Sequence, residues 1–268
     1  MKRFISFFAC VAAMLGVVSC DDEITYVGGE DLYFLKSMTN TDYDIHKKYI
    51  YDLEMNLMQI VESEVLGSSV SETFDISYNS DYVTLSYESG ESTVLMFKDG
   101  YVSTLSKYDA DRASEYSIRY YYNTSGYLSK FVKSEGSTTT TTTCTWSSGN
   151  LTMIETTIAS PTATTYNKLE IEYSSSKAKT TNFDMNFYTI AEEFQQFPTK
   201  WFGNYPTNLS TKRIYYASKT DENEAWEAIT NGDVENSYTF DENGCVSSYS
   251  SSSAAGDWSM SFTYTVVD

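Results

Sequence analysis

One short pattern recurs along this chain and limits its folding more than any other feature. It consists of an aromatic residue, two or three turn-forming residues, glycine, one variable residue, then leucine or valine. It reads FKDGYV at 97–102, YNTSGYL at 122–128, WSSGNL at 146–151 and FDENGCV at 240–246. A variant at 78–83, YNSDYV, carries Asp81 where the glycine would stand. A short link between antiparallel strands needs a left-handed backbone at a fixed place. Gly, Asn and Asp supply it, and aromatic and branched residues suit the pleated strands on either side. The pattern therefore predicts hairpin turns at Gly100, Gly126, Gly149 and Gly244, with Asp81 standing in for glycine at a fifth. The aromatics at 97, 122 and 146 are 24 to 25 positions apart, which suits an up-and-down pair of strands of roughly ten residues with two turns.

Between the turns, apolar and polar residues alternate. Lys168, Glu170 and Glu172 oppose Leu169, Ile171 and Tyr173, and the last strand sets Trp258, Met260, Phe262, Tyr264 and Val266 against Ser259, Ser261, Thr263 and Thr265. Half-buried antiparallel strands have this period of two. The threonine tract at 138–143 reads as a strand with polar side chains on both faces, with disorder as the alternative. Elsewhere the spacing is helical. Ile50, Leu53, Leu57, Ile60 or Val61, and Val65 predict an amphipathic helix over 42–66, with Asp52, Glu54 and Glu62 opposite. Ile190, Phe194 and Phe197 predict a short helix ended by Pro198, and a further turn or two is expected over 222–229. The fold expected is a single, mainly β domain over 42–268. In it an antiparallel meander of about 10 to 14 strands closes into a soluble barrel or a strongly curved sheet.

Residues 1–19 begin with Lys2 and Arg3 and continue through an apolar run, Phe4 to Val18. That run is shorter than the ~20 residues needed to cross a bilayer as a helix, so it reads as an export signal absent from the mature protein. The ending Val17, Val18, Ser19, Cys20 resembles a bacterial lipobox, which implies lipid on Cys20 and a membrane anchor at the cell envelope. Residues 20–41 then form an acidic tether. Its first residues after the anchor, Asp21, Asp22 and Glu23, resemble a surface-export signal, with a simple solvated tether as the alternative.

The chain has 18 Lys and Arg against 37 Asp and Glu, a formal charge of −19. Without residues 1–19 two cations go, giving 16 − 37 = −21. A surface of that sign does not displace counterions from a polyanion, so nucleic acid is not an expected partner. Of four cysteines, Cys10 leaves with the signal and Cys20 takes the anchor. Cys144 and Cys245 remain, as a possible disulfide or as two small buried residues.

At Tyr122–Leu128 and Phe240–Val246, in KWFGNYPTNL at 200–209 and in the closing YTV at 264–266, the chain resembles a Bacteroidetes lipoprotein family of unknown function described as having a porin-like fold. The resemblance spans residues 71–267. It implies an antiparallel barrel or strongly curved sheet, a lipid-anchored outer-membrane location open to surface exposure, and no established activity. A barrel that spans a membrane needs an outward apolar residue at every second position over ~9–11 residues of each strand. The six threonines of 138–143 do not offer this, nor do Lys130 and Lys133 on opposite faces of one strand.

The chemistry of the chain excludes more than it nominates. His46 is the single histidine, so clustered histidine metal sites are absent and a serine triad would have to use it. No glycine-rich phosphate loop occurs, and no metal or other cofactor is expected. Asp109 with Asp111, and Glu192 with Glu193, are neighbouring carboxylates, but a glycosidase pair requires spacing across a sugar rather than along the chain. Asp241, Asn243 and Gly244 begin like a calcium loop, yet Ser252 stands where the closing glutamate belongs. Tyrosine, 24 in all, suits strands as well as stacking on sugars or protein partners. The expectation is binding or scaffolding at the envelope, with an envelope protein or a glycan as partner. The alternatives are a glycan-binding surface lipoprotein and an acid-pair glycoside hydrolase.

Overall fold

Among the described residues sixteen strands follow one another, each antiparallel to its neighbour, and the first closes against the last. The computed structural model describes residues 33–65, 70–177, 181, 194 and 197–266. The expected export signal, Cys20 and the acidic residues 21–23 lie outside the described residues. The strands are β1 (Tyr33–Asn40), β2 (Ile45–Tyr51), β3 (Leu57–Ser63), β4 (Val70–Tyr78), β5 (Tyr82–Tyr87), β6 (Ser92–Lys98), β7 (Tyr101–Tyr108) and β8 (Ser114–Tyr122). They continue with β9 (Leu128–Glu135), β10 (Thr138–Ser147), β11 (Asn150–Ala159), β12 (Thr164–Tyr173), β13 (Ser210–Tyr215), β14 (Val234–Phe240), β15 (Val246–Ser253) and β16 (Gly256–Val266). The expected meander is thus a closed barrel, with more strands than its length suggested. The threonine tract is β10, fully paired with β9 and β11.

The predicted helix over 42–66 is instead the hairpin β2–β3. Its apparent helical spacing has two sources. Leu53 lies in the turn and is fully exposed. Leu57 and Ile60 both face the core although three positions apart, because the pairing shifts by one residue between Tyr51↔Leu57 and Ile50↔Gln59. A bulge at Met58 turns a period of two into a step of three. Residues 51–57 are in fact another copy of the repeat, with Met55 at φ 64° in the place of glycine.

The turns fall at Gly100, Gly126, Gly149 and Gly244, at φ 83°, 76°, 77° and 81°. Where aromatic and aliphatic residues are five apart, two left-handed residues make the reversal: Asp99 with Gly100, and Ser148 with Gly149. Where they are six apart, an acidic or amide residue caps the turn. Asn123 Oδ1 accepts the amides of Ser125 and Tyr127, Asp241 Oδ1 those of Asn243 and Cys245, and Asp52 Oδ1 those of Glu54 and Asn56. These are Asx turns. Asp81 departs from expectation: it is not among the left-handed residues, and Tyr78 pairs directly with Val83 with no register shift.

After the turn the bulge recurs. The pairings shift by one residue just past Val102, Leu128, Leu151 and Val246, as they do past Leu57. The extra residue is Ser103, Ser129, Thr152 or Ser247. The hydroxyls of Ser103, Ser129 and Thr152 donate across the hairpin to the carbonyls of Met96, Tyr121 and Thr145.

The bulge also frees the carbonyl of the aliphatic residue before it, and the aromatic of the following unit takes it. Tyr51 Oη donates to Leu35 O at 2.7 Å, Tyr78 to Leu57 O at 2.9 Å, Tyr122 to Val102 O at 2.8 Å and Trp146 Nε1 to Leu128 O at 2.7 Å. Tyr173 bonds Leu151 O, Tyr238 bonds Ser210 O and Tyr264 bonds Val246 O. Val83 has no bulge behind it, and the aromatic of the next unit there is Phe97, which has nothing to donate. Much of the tyrosine content is therefore structural. One end of the barrel, where all these turns lie, is held by a ring of side-chain to backbone staples, each worth about 1 kcal/mol net.

Many inward-facing residues are apolar: Leu57, Ile60, Val83, Leu85, Leu95, Val102, Leu105, Leu128 and Leu151 are all nearly or completely buried. Many outward residues are hydroxylated or charged, although Met58, Val70, Tyr82, Met96, Tyr121 and Phe240 are also exposed. β10 turns Thr139, Thr141, Thr143 and Thr145 outward, alternating with buried Thr142 and Cys144. On β16 the outward set is Ser259, Ser261, Thr263 and Thr265, alternating with buried Met260 and Phe262. β12 adds Lys168, Glu170 and Glu172. Such faces suit water rather than hydrocarbon.

Candidate functional site

A closed sheet of about sixteen strands is wide enough to leave an aqueous channel unless something fills it. Here described residues of the connection from β12 to β13, Phe194 and 197–202, lie inside the barrel. Phe194, Phe197, Trp201 and Phe202 are all buried. Trp201 meets Tyr78 and Phe97 edge-on, with ring centres 6.2 and 5.6 Å apart. Phe194 meets Tyr120 and Phe131 at 6.1 and 5.8 Å, and Phe202 lies 5.2 Å from Tyr120. β4, β6, β8 and β9 thus share one aromatic plug. The helix predicted to end at Pro198 lies mostly outside the described residues; just after that proline comes a 3₁₀ turn, Thr199–Phe202.

The plug is fastened to the turns it passes. Asn204 donates its amide to Gly126 O at 2.8 Å and its Nδ2 to Ser125 O at 2.8 Å. Thr207 N reaches Gly149 O at 3.0 Å, and Asn208 N reaches Asn150 Oδ1 at 2.9 Å. The turns of the repeat, predicted as plain reversals, are also docking points for the connection.

Toward the other end the interior becomes charged. Lys47, Glu62, Glu72, Lys107 and Lys133 each stand two positions from a buried residue of the same strand, namely Tyr49, Ile60, Phe74, Leu105 and Phe131, so they share its inward face. Lys47 pairs with Glu62 at 3.1 Å. Lys107 pairs with Glu91 at 3.3 Å and Glu115 at 3.4 Å, and Lys133 with Glu135 at 3.4 Å. Lys133 also lies 3.9 Å from the centre of the Tyr116 ring. Burial, then the nearby Glu62 and Glu91, hold the Glu72 carboxyl above its ordinary range, against Lys107 and Lys47. Carboxylates outnumber lysines in this half, and most are neutralised in pairs.

Arg213 is buried on β13. Its Nη2 donates to Tyr249 Oη at 2.9 Å, and that hydroxyl donates to Asn236 Oδ1 at 2.8 Å. Beyond this chain lies a pocket of about 420 Å³ at the rim of β14, β15 and β16. A larger groove of about 640 Å³ lies near the plugged end, beside Asp99, Tyr101, Tyr121 and Asn123. The aromatic faces there are partly taken: Lys130 Nζ stands 4.5 Å over Tyr121, and Tyr101 lies against Tyr122 at 4.9 Å.

The remaining sequence candidates are scattered. Cys144 faces the barrel interior on β10 and Cys245 sits in the turn between β14 and β15; both are buried and no disulfide joins them. Burial pushes the Cys144 thiol up to about 12. His46 is on a strand rather than a helix, and its Nδ1 shares a hydrogen bond of 2.8 Å with Thr39. Asp109 caps its own turn by accepting the amide of Ala113, and Asp241 is committed to the amides described above. Glu192 and Glu193 lie outside the described residues. The turn expected over 222–229 is not helical; the segment wraps Lys219, whose Nζ donates to the carbonyls of Glu222 and Glu224 and stands 4.3 Å over Trp226. Sequence reasoning missed the plug and the charged half. The aromatic run 194–202 was the available sign of the first, and lysines at inward parity were the sign of the second.

No family model matches the chain, and no curated protein matches it. Among solved structures it is similar to a porin-like protein from Bacteroides uniformis, with 13% identity, 86% of this chain and 96% of that chain covered, and a TM-score of 0.59. At that identity the likeness is one of fold: the chain has the architecture of a porin-like barrel, with Phe194, Phe197, Trp201 and Phe202 buried inside it.

Proposed function

We propose that this chain is a lipid-tethered envelope protein that works by binding or scaffolding and conducts nothing. The plug of Phe194, Phe197, Trp201 and Phe202 inside the barrel carries the reading. The hydroxylated outer face supports it too, since a protein held by lipid on Cys20 has no need of a hydrocarbon-facing wall. On this reading residues 1–19 are removed, Asp21, Asp22 and Glu23 begin the tether, and the barrel stands off the outer membrane. Two measurements test it. Purified protein added to planar bilayers should give no conductance steps above background, and Cys20→Ala should release the protein from the membrane fraction and abolish labelling by palmitate. Ion-conducting steps from the wild type would overturn the non-conducting barrel. Unchanged membrane attachment in Cys20→Ala would overturn the tether.

A second reading, a glycan-binding surface lipoprotein, is favoured by one observation. Two concave regions of the described surface place an aromatic side chain beside Asp and Asn, as sugar sites do. No binding by a broad glycan array would remove it.

A further inference from the structure

We infer that the pocket at the rim of β14, β15 and β16 is a binding site for a neutral saccharide, with Trp258 as its platform; this rests on the glycan-binding reading and gives it a place. The pocket measures about 420 Å³, within the range of about 300–1,000 Å³ usual for small ligands. Its chemistry comes from Trp258, Asn236, Ser251, Asp257, Asp42 and Glu235.

Trp258 is half-buried and meets Tyr249 at 5.1 Å with the rings inclined 63°. Tyr249 is in turn fixed by Arg213 and Asn236. The indole is therefore held from behind by a buried hydrogen-bonded chain, a rigid apolar plane at the edge of a polar cup. Sugars present an apolar C–H face and a rim of hydroxyls, and an aromatic plane ringed by acceptors matches both.

The acceptors are placed but not exhausted. Asp257 uses Oδ1 for Ser252 Oγ at 2.6 Å, and Asp42 uses Oδ2 for the amide of Ser259 at 2.7 Å. Each keeps an oxygen for a ligand hydroxyl. Ser251 lines the floor of the pocket at 2% exposure, with its side chain beside Tyr249, and so packs the ring that supports the indole.

Charge narrows the class. Asp42, Glu235 and Asp257 repel uronic and other acidic sugars. Among the described residues no group of three His, Cys, Asp or Glu side chains is arranged to hold a metal ion, so the carboxylates here are hydrogen-bond acceptors rather than a cation cage. The groove beside Tyr101 is the poorer candidate, since Lys130 and Tyr122 already cover faces of its aromatics.

The test is calorimetric titration of the whole secreted domain with neutral oligosaccharides built on glucose, galactose, mannose and xylose, with oligouronides and choline as comparators. At least one neutral series should bind, Trp258→Ala should weaken it by about tenfold or more, and Asp257→Ala, at an exposed position that leaves the fold intact, should weaken it several-fold. Binding that survives both substitutions but is lost in Tyr101→Ala would overturn the site while leaving the glycan reading standing. Binding of oligouronides or choline alone would overturn the ligand class. No neutral saccharide binding at all would overturn both the inference and the glycan reading, and leave the non-conducting barrel untouched.

Discussion

The amide of Asn204 donates to the carbonyl oxygen of Gly126 at 2.8 Å, so the chain that fills the barrel is keyed to a turn of the repeat that builds it. Gly203, at φ 97°, makes the approach: a Cβ there would press on Gly126 O and lie 3.0 Å from the Tyr122 ring. Backbone and a buried ring cannot give way cheaply. Gly203→Ala should destabilise the protein by about 2–5 kcal/mol, from left-handed strain and overpacking together. Gly100→Ala, at φ 83° with nothing within 4 Å of its Cβ, should cost only about 1–2 kcal/mol. Urea unfolding of the two variants checks this; equal effects would show that the docking contact contributes nothing.

The staples make a paired prediction. Tyr122→Phe removes the donor to Val102 O and should cost about 1 kcal/mol. Phe97→Tyr adds a hydroxyl where no bulge frees a carbonyl, so it should destabilise by about 1–3 kcal/mol rather than stabilise. A gain of stability in Phe97→Tyr would refute the link between bulge and donor.

Glu72 sets a pH dependence. Its carboxyl is raised in the folded protein, first by burial and then by Glu62 and Glu91. The folded state thus holds that proton more tightly than the unfolded chain. The resulting stabilisation is complete below the ordinary glutamate range and is lost as the pH rises through the raised value. Glu72→Gln should therefore be more stable than the wild type at pH 7, with the gap narrowing toward pH 4. Denaturation midpoints at the two pH values check the sign; a gap that widens in acid would contradict it.

Cys144, with its thiol near 12, has almost no thiolate at pH 8. Native protein should leave it unlabelled by iodoacetamide, with rapid labelling once urea unfolds the barrel. Fast labelling of native protein, mapped to Cys144 by peptide mass, would show the β10 wall to be open.

The turns, the strand alternation and the polar outer face were legible in the sequence because each depends on two or three adjacent residues. The β2–β3 hairpin was not, and the reason is specific. A bulge places Leu57 and Ile60 three apart on the inward face, and the same step separates Val102 from Leu105, Leu128 from Phe131, Leu151 from Ile154 and Val246 from Tyr249. A step of three is also a helix's step, so Ile50, Leu53, Leu57 and Ile60 imitate one. A serine or threonine follows the aliphatic residue at 103, 129, 152 and 247, but Met58 stands in that place in β3, so this hairpin carried no such sign. Closure of β1 on β16, the aromatic plug and the Trp258 pocket all join residues distant in sequence, and no local pattern announces them.

Because each staple grips a main-chain oxygen of the preceding hairpin, it is indifferent to which side chains that hairpin carries. Every unit needs only a predecessor with a kinked strand and a successor with a donor. A ring assembled by such handshakes can gain or lose a two-strand unit by duplication or deletion without redesigning its neighbours. Girth is then an evolvable quantity, with the inserted connection as the part that must grow or shrink to match.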